Sequence, residues 1–509
     1  MKNIPRSLLI SSFLLLKFLI HLLTLSNYGL HRDEYLYLEE GRRLAWGFME
    51  VPPVTPFFGC LAQLLGDGTF AVRIFPVLAG VIMLWLVFKI LEVLQAGKTA
   101  VIFAGVSFLI APAFLRSHGL LMPVVFEQLL WTLLAFLTLK IIKNDRPQYW
   151  YAFGSALGAA WLTKYAVVFF GISLLVGILL SPHRKLLQSR HFFAALGLAL
   201  LIAAPNIFWQ YNHNFPVLHH IEDLAGSQLQ NVITLRFLGD QLLFFGAAAL
   251  VWIAGLYGLF FNPKLRPYRA FGWAYFVLIL LFVVLKGKSY YTLGIYPTLL
   301  AFGAVQCGFF FRKIQTKVIV LSLMVIINLP LIPFGAPVLP LPTMKKYATS
   351  FTKITGFDNV LIWEDGQKHD LPQDFADMTG WEELPGRVAA VYHALPPDER
   401  SKTIILAGHY GQAGVLNLRR QDHDLPEVQS FNSSYRIWQR TDTPFENMIL
   451  VDDRFSMESD WYDVVILKDS IRDENARDPG YIFYRKSPKI DVAGEYARLV
   501  REWREDFGF

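Results

Sequence analysis

Charge and cysteine are both scarce in this 509-residue chain, with 17% charged residues and two cysteines. Cys60 and Cys307 lie far apart, within or beside apolar segments. That spacing excludes a disulfide framework and a cysteine-based metal centre. Neither the Walker nor the dinucleotide glycine pattern occurs, so no nucleotide cofactor is expected, and no other cofactor or metal. The net charge is +6, but the basic residues fall between apolar runs rather than in one patch, which argues against nucleic acid as a partner. No internal repeat is visible, and no low-complexity tract beyond the apolar runs.

What the chain has in abundance is hydrophobic length. Hydrophobic residues make up 54%, with 42 Phe and positive mean hydropathy, beyond the usual content of a soluble globule. Many runs reach the roughly twenty residues needed to cross a bilayer. Lys2 and Arg6 precede the first, residues 7–25, which lacks a small-residue cleavage site and reads as an uncleaved transmembrane helix. Lys17 within it must pair or snorkel. Further spans are expected at 70–94, 99–115, 119–142, 149–162, 165–180, 192–209, 237–261, 271–285, 290–311 and 318–334, for a total of about eleven transmembrane helices. Lys98, Lys140, Lys143, Arg184, Lys185, Lys264, Arg266, Arg269, Arg312, Lys313 and Lys317 mark cytoplasmic flanks. The N-terminus is then inside, and the first loop and the C-terminal tail share the outer compartment.

Residues 31–53, HRDEYLYLEEGRRLAWGFMEVPP, form that first loop. Asp33 and Glu34 sit where a helix would begin, where the macrodipole favours ionised acids. At about 100° per residue they point to different sides, so one of them at most serves a given site. The plain reading is an acidic helix start. Alternating aromatic and charged residues suggest an interfacial helix ended by Pro52 and Pro53, with a second at 55–65. After residue 334 the composition becomes Pro-rich and then polar. The domains expected are a membrane domain over 1–335, a linker over 336–342 and a small outer α/β domain over 343–509. In the tail, strands are expected at 403–407, 448–451, 464–467 and 481–484, and helices at 381–395 and 492–503. The turn GHYGQAG, 408–414, follows an apolar strand; it reads as a tight structural turn rather than a phosphate cradle.

Polar groups cluster at the outer side of the expected topology, where lipid penalises them unless they line a cavity. They include Glu127, Arg73, Lys164, Tyr165, His219, His220, Asp240 and the KGKSYY segment with Lys286, Lys288, Tyr290 and Tyr291. Each has a bland explanation: snorkelling for the lysines, interfacial anchoring for the tyrosines, a buried pair for Glu127. Together, a carboxylate, several cations and aromatic surfaces suit an amphiphile with an anionic head and an apolar tail, such as a lipid phosphate sugar.

Several segments resemble one family. HRDEYLYLEEGRRLAWGFMEVPP, VVFEQLLW (124–131), LTKYAVVFF (162–170), PNIFWQYNHNFP (205–216) and KGKSYYTLGIYP (286–297) look like bacterial glycosyltransferase family 39 membrane proteins. These are relatives of protein mannosyltransferases and lipid A aminoarabinose transferases, with the GT-C fold. ADMTGW (376–381), LAGHYGQAG and FNSSYRIW (431–438) look like the outer domain of one bacterial branch. The resemblance implies a polyprenyl-phosphate-sugar donor and inverting transfer to an unidentified acceptor at the outer face of the inner membrane. It implies Asp33 as general base and Glu34 supporting geometry or acceptor binding. Lys164, Lys286, Lys288 and Arg73 are the expected phosphate ligands; Glu127, Tyr165, His219, Tyr290 and Tyr291 are expected to bind substrate. Glu127 stands where relatives are expected to have Asp, and Gln412 where Glu is expected. The alternative class is a multipass transporter or flippase, which normally places polar groups near the midplane of repeated halves.

Overall fold

The computed structural model describes residues 5–227 and 229–508; Lys2 lies outside them. The chain divides into two compact units. The first comprises residues 1–25, 73–207 and 223–339; the second comprises 26–72, 208–222 and 340–509.

The first unit is helical, and each of the eleven expected segments contains helix. Among the described residues six helices are long and apolar enough to cross a membrane: Thr69–Val93, Pro123–Asn144, Arg190–Asn212, Arg266–Val284, Ser289–Phe310 and Ile314–Gly335. Four other expected spans fall on shorter helices, Arg6–Leu22, Lys98–Ile110, Pro147–Trp161 and Val167–Leu179. The segment 237–261, expected as one run, is two helices bent by 91° at a break after Leu243. A buried asparagine pins that break. Asn328 donates to the carbonyls of Phe245 (2.8 Å) and Ile110 (3.0 Å) and accepts from the Ala247 amide (2.7 Å), satisfying backbone groups that an unbroken helix would have satisfied itself.

Lys17 pairs inward. It is fully buried, donates to the Phe114 carbonyl at 3.1 Å and lies 3.4 Å from His21. The core gathers Trp131, Phe170, Phe245, Trp252, Tyr296 and Phe302, with Trp131 stacked on Phe170 at 4.6 Å. Helices Ala249–Phe261 and Tyr296–Phe310 cross at glycine. A Cβ on Gly303 would lie 1.7 Å from the Val251 carbonyl oxygen, and one on Gly255 would lie 2.4 Å from that of Leu299. Gly303→Ala should therefore force the two backbones apart and cost about 1–3 kcal/mol. The check is the melting temperature of the detergent-purified protein; an unchanged value would sink this account of the crossing.

The second unit holds a five-stranded sheet of order β2-β1-β3-β5-β4, with β1 Thr403–Ala407, β2 Gln429–Ser430, β3 Asn447–Asp452, β4 Tyr462–Asp469 and β5 Tyr481–Pro488. β1 pairs in parallel with β2 and β3; β5 runs antiparallel to β3 and β4. Four strands lie where the sequence places them. β2 has two residues, too few for alternation to register. The first-loop helix is Arg32–Arg42, packed against Val54–Leu64 and against Tyr410–Leu418, the helix that follows β1. It ends ten residues before the prolines expected to stop it. Gly41, in its last turn, sits where a Cβ would be 2.5 Å from the Cys60 amide nitrogen, so the lack of a side chain lets helix Val54–Leu64 pass close by.

Candidate active site

In the second unit the start of helix Arg32–Arg42 separates its two adjacent acids. His31 is the N-cap: its Nδ1 accepts from the Asp33 amide at 3.1 Å, and Glu34 reaches back to accept from the His31 amide at 2.8 Å. This reciprocal pair is a capping box with histidine in the Ser/Thr place. Glu34 is fully buried and committed to it. Asp33 points elsewhere, with its side chain 30% exposed. Its Oδ1 accepts from the Tyr410 hydroxyl at 2.6 Å and lies 3.8 Å from Arg32 Nε.

Arg32 ties several tail residues to this point. Its Nε donates to Tyr410 Oη at 3.1 Å, and its Nη1 lies 3.7 Å from both Asp377 and Asp478. Asp377 also faces His31 Nε2 at 3.6 Å and Arg477 at 3.2 Å. Burial opposes the charge of Asp377, but His31, Arg32 and Arg477 outweigh it and hold the carboxyl well below its ordinary range. Burial likewise opposes charge on His31, yet Asp377, Asp33 and Asp374 raise its pKa to about 8. Above about pH 8 the ring is neutral, with its hydrogen on Nε2 and its Nδ1 lone pair accepting from the Asp33 amide; below that pH a second proton would displace this bond, and Nε2 keeps its hydrogen in either form.

A stability prediction follows from Asp377. Its lowered folded-state pKa contributes stability that is present above the unfolded value of about 3.9 and lost as pH falls through the folded value. Asp377→Asn should melt at a lower temperature at pH 7, and its deficit against wild type should shrink below about pH 4. A deficit independent of pH would refute the ionic account.

His31, Asp374 and Asp377 form one group with metal-ligating atoms within 4.8 Å of one another; His409, Asp453 and Asp478 form another. The donor chemistry does not fit a cation at either. Both rings give Nδ1 to a backbone amide, that of Asp33 and that of Gly411 (2.9 Å), so Nε2 presents a hydrogen to the carboxylates rather than a lone pair. A metal-bound histidine needs the reverse. The GHYGQAG turn opens a helix capped by His409, with the Tyr410 amide directed to Asn432 and the Gly411 amide to His409. These two amides are engaged by side chains of the protein.

A third set lies on the same loop. Ser434 Oγ is 2.8 Å from Glu40, 2.7 Å from Glu50 and 3.1 Å from the Met49 amide, which donates to it. One hydroxyl hydrogen cannot serve two carboxylates, so one carboxyl must itself be protonated. Burial and the neighbouring Glu50 push Glu40 well above the ordinary carboxylate range, which assigns the proton to that pair. All three tail motifs thus supply a residue that touches the first loop: Asp377, Tyr410 and Ser434. His219, in the same unit, lies half-exposed against Glu222 (3.9 Å) and Phe507 (ring centroids 5.0 Å). No hydrogen bond or ion pair joins it to Asp33 among the described residues.

In the first unit, Glu127 and Lys164 form an ion pair at 3.0 Å, with Glu127 3% and Lys164 21% exposed. The ammonium lies over the rings of Tyr291 (4.3 Å) and Tyr290 (5.5 Å), and Lys288 is 5.9 Å from the Tyr290 ring. Glu127, Lys164, Lys288, Tyr290 and Tyr291 are therefore brought together. The second oxygen of Glu127 is buried without a hydrogen-bond partner among the described residues. Tyr165 turns to Asn206 at 3.2 Å. Arg73 is buried and donates to the Leu25 carbonyl at 2.7 Å, tying its helix to the end of the first. Lys286 is exposed, at φ 52°.

The chain resembles ArnT from Cupriavidus metallidurans, solved bound to undecaprenyl phosphate, with a TM-score of 0.62 over 95% of this chain and 98% of that one at 13% identity. The fold is GT-C. The mycobacterial arabinofuranosyltransferase AftD shares the GT-C fold at a TM-score of 0.52 and 13% identity, over 96% of this chain and 40% of that one. Residues 50–209 match the family described as dolichyl-phosphate-mannose-protein mannosyltransferase, so the likeness to family 39 stands. That segment includes Arg73, Glu127, Lys164 and Tyr165 but not Asp33. Lipid A galacturonosyltransferase RgtD of Rhizobium johnstonii is 33% identical over 72 residues, which is 14% of this chain and 15% of that protein.

Sequence reasoning missed His31, Arg32, Tyr410, Asp377, Glu40, Glu50 and Ser434. The available signal was that the tail motifs lie outside the membrane spans yet carry acids, hydroxyls and a tyrosine in non-repeating patterns.

Proposed function

We propose that this protein is a membrane glycosyltransferase that takes a sugar from a polyprenyl-phosphate donor and delivers it to a hydroxyl or amine acceptor at the outer face of the bacterial inner membrane. Asp33 is the general base. The observation that carries this reading is the division of labour at Asp33 and Glu34: one acid is buried in a capping box, while the other is partly exposed with one oxygen anchored and no hydrogen bond on the second among the described residues. An anchored, accessible carboxylate at a helix start is suited to accept a proton.

In the reaction, the acceptor oxygen or nitrogen bonds to the anomeric carbon as its proton passes to Asp33. The bond from that carbon to the phosphate oxygen breaks, and the centre inverts. A phosphodiester monoanion leaves as a phosphate monoester, so negative charge grows on the lipid phosphate and calls for cations. Lys164, Lys286, Lys288 and Arg73 are the candidates for that task, with Tyr290 and Tyr291 as aromatic surfaces. The undecaprenyl phosphate of the ArnT structure supports a polyprenyl lipid as the donor's carrier. The first loop and the tail share one compact unit, which supports their lying on one side of the membrane.

The test compares masses of glycolipids, polysaccharides and glycoproteins from cells carrying the intact gene, a deletion and Asp33→Asn. Loss of one sugar-sized increment in both altered strains supports transfer and identifies the acceptor. A change in the deletion alone would reject Asp33 as base and favour a transporter.

A further inference from the structure

We propose that Tyr410 is a positioning residue for Asp33, so that a helix start in the C-terminal domain sets how the first-loop acid accepts its proton. The inference rests on the reading of Asp33 as base and adds to it a task for the tail.

The hydrogen bonds have a fixed direction. A guanidinium only donates, so Arg32 Nε–H must point at Tyr410 Oη across 3.1 Å. The phenol has one hydrogen, and the carboxylate oxygen of Asp33 at 2.6 Å is its acceptor. The chain therefore runs from Arg32 through Tyr410 to Asp33. A cation behind the hydroxyl and an anion ahead of it polarise the O–H bond in one direction, which strengthens the bond to Asp33.

Each link is itself held. Arg32 lies between Asp377 and Asp478, at 3.7 Å from each, with its guanidinium 5.1 Å from the centroid of the Tyr410 ring. Tyr410 is the first residue of its helix, directly after the His409 cap, and His409 Nε2 is 3.1 Å from Asp478. The helix that carries Tyr410 packs on the helix that carries Asp33, and Gly414 lets Tyr35 approach to where a Cβ would be 2.8 Å away. Burial raises the Tyr410 phenol far above its ordinary range and the Asp33 charge adds to this, with Arg32 opposing, so the hydroxyl keeps its proton at any working pH.

The consequence is a carboxylate with its two oxygens assigned. Oδ1 is held by Tyr410, which fixes the plane of the group, and Oδ2 is left to take the acceptor's proton. Arg32 and Asp33 are neighbours in sequence, whereas Tyr410 lies 377 residues further on. The outer domain thus contributes to the chemistry without itself supplying the base.

The test uses full-length protein in detergent micelles, a total polyprenyl-phosphate-sugar lipid extract as donor, and membranes of the deletion strain as acceptor. A second readout needs no substrate: the frequency of the carboxylate infrared band that Asp33→Asn abolishes. Tyr410→Phe should lower turnover about 10–100-fold, the effect of losing one hydrogen bond to a charged group. The donor KM should stay within about threefold. The carboxylate band should shift in frequency, because one of its oxygens loses its hydrogen-bond donor. Arg32→Gln should shift the band in the same direction by less, and decides the question alone if Tyr410→Phe fails to accumulate. A wild-type band position in the variants overturns the positioning role even if turnover falls, since a drop in rate with the carboxylate band unmoved means that Tyr410 does not act through Asp33. If Asp33→Asn is fully active the base reading fails, and the positioning role fails with it.

Discussion

Asp33→Asn should reduce sugar transfer by about 10²–10⁴-fold, the usual contribution of a positioned general base, while leaving the protein folded and inserted. Asparagine keeps the shape of the side chain and an oxygen that can still accept from Tyr410, so the contact at 2.6 Å survives in form. It also remains compatible with the first turn of a helix, so the melting temperature should stay within about 2 °C of wild type. What it removes is the capacity to bind the acceptor's proton. The comparison with its neighbour makes the result specific. Glu34→Gln retains the oxygen that accepts from the His31 amide at 2.8 Å, and its site is buried away from solvent. That variant should keep near-normal turnover with a modest loss of stability. Equal activity losses at both positions would mean that the helix start matters as a structure and that neither acid is the base.

The separation of these two acids was half legible in the sequence. Helical phase alone says that they diverge, but not which one is spent. The deciding feature is a capping box whose N-cap is His31, and histidine is not among the residues normally read as caps. Tyr410, Asp377 and Ser434 were illegible for a different reason. Each meets the first loop from more than 340 residues away, and periodicity reports only local order. The apolar segments and four of the five strands were readable because their signal is local: length in one case, alternation and β-branched content in the other. Where that local signal misled, a distant side chain had intervened. The apolar run 237–261 looks continuous, yet Asn328 supplies the hydrogen bonds that make a 91° break tolerable inside it. Arg73 shows a contact that its position does not announce, since its guanidinium reaches the Leu25 carbonyl.

Lys164→Met should be the most destabilising single change among the expected site residues, at about 3–5 kcal/mol, because it strands a buried carboxylate. Glu127 is 3% exposed, one oxygen depends on Lys164 at 3.0 Å, and the other has no partner among the described residues. Glu127→Gln should cost less, since Lys164 is 21% exposed and its ammonium retains the faces of Tyr290 and Tyr291. The double variant removes both charges and should recover most of the melting temperature lost by Lys164→Met; if it melts as low as the single variant, stranding of the carboxylate is not the cause. Activity then separates two roles for the lysine. A lysine that serves only to neutralise Glu127 becomes dispensable once the acid is gone, and the stable double variant would regain transfer. A lysine that meets the charge growing on the departing phosphate stays essential, and the double variant would be stable yet inactive, which is the expected result. The neighbouring Lys288 gives the same assay a graded control. It lies at 5.9 Å from the Tyr290 ring, and Lys288→Met removes a cation without stranding Glu127. It should therefore slow transfer while leaving the melting temperature close to wild type.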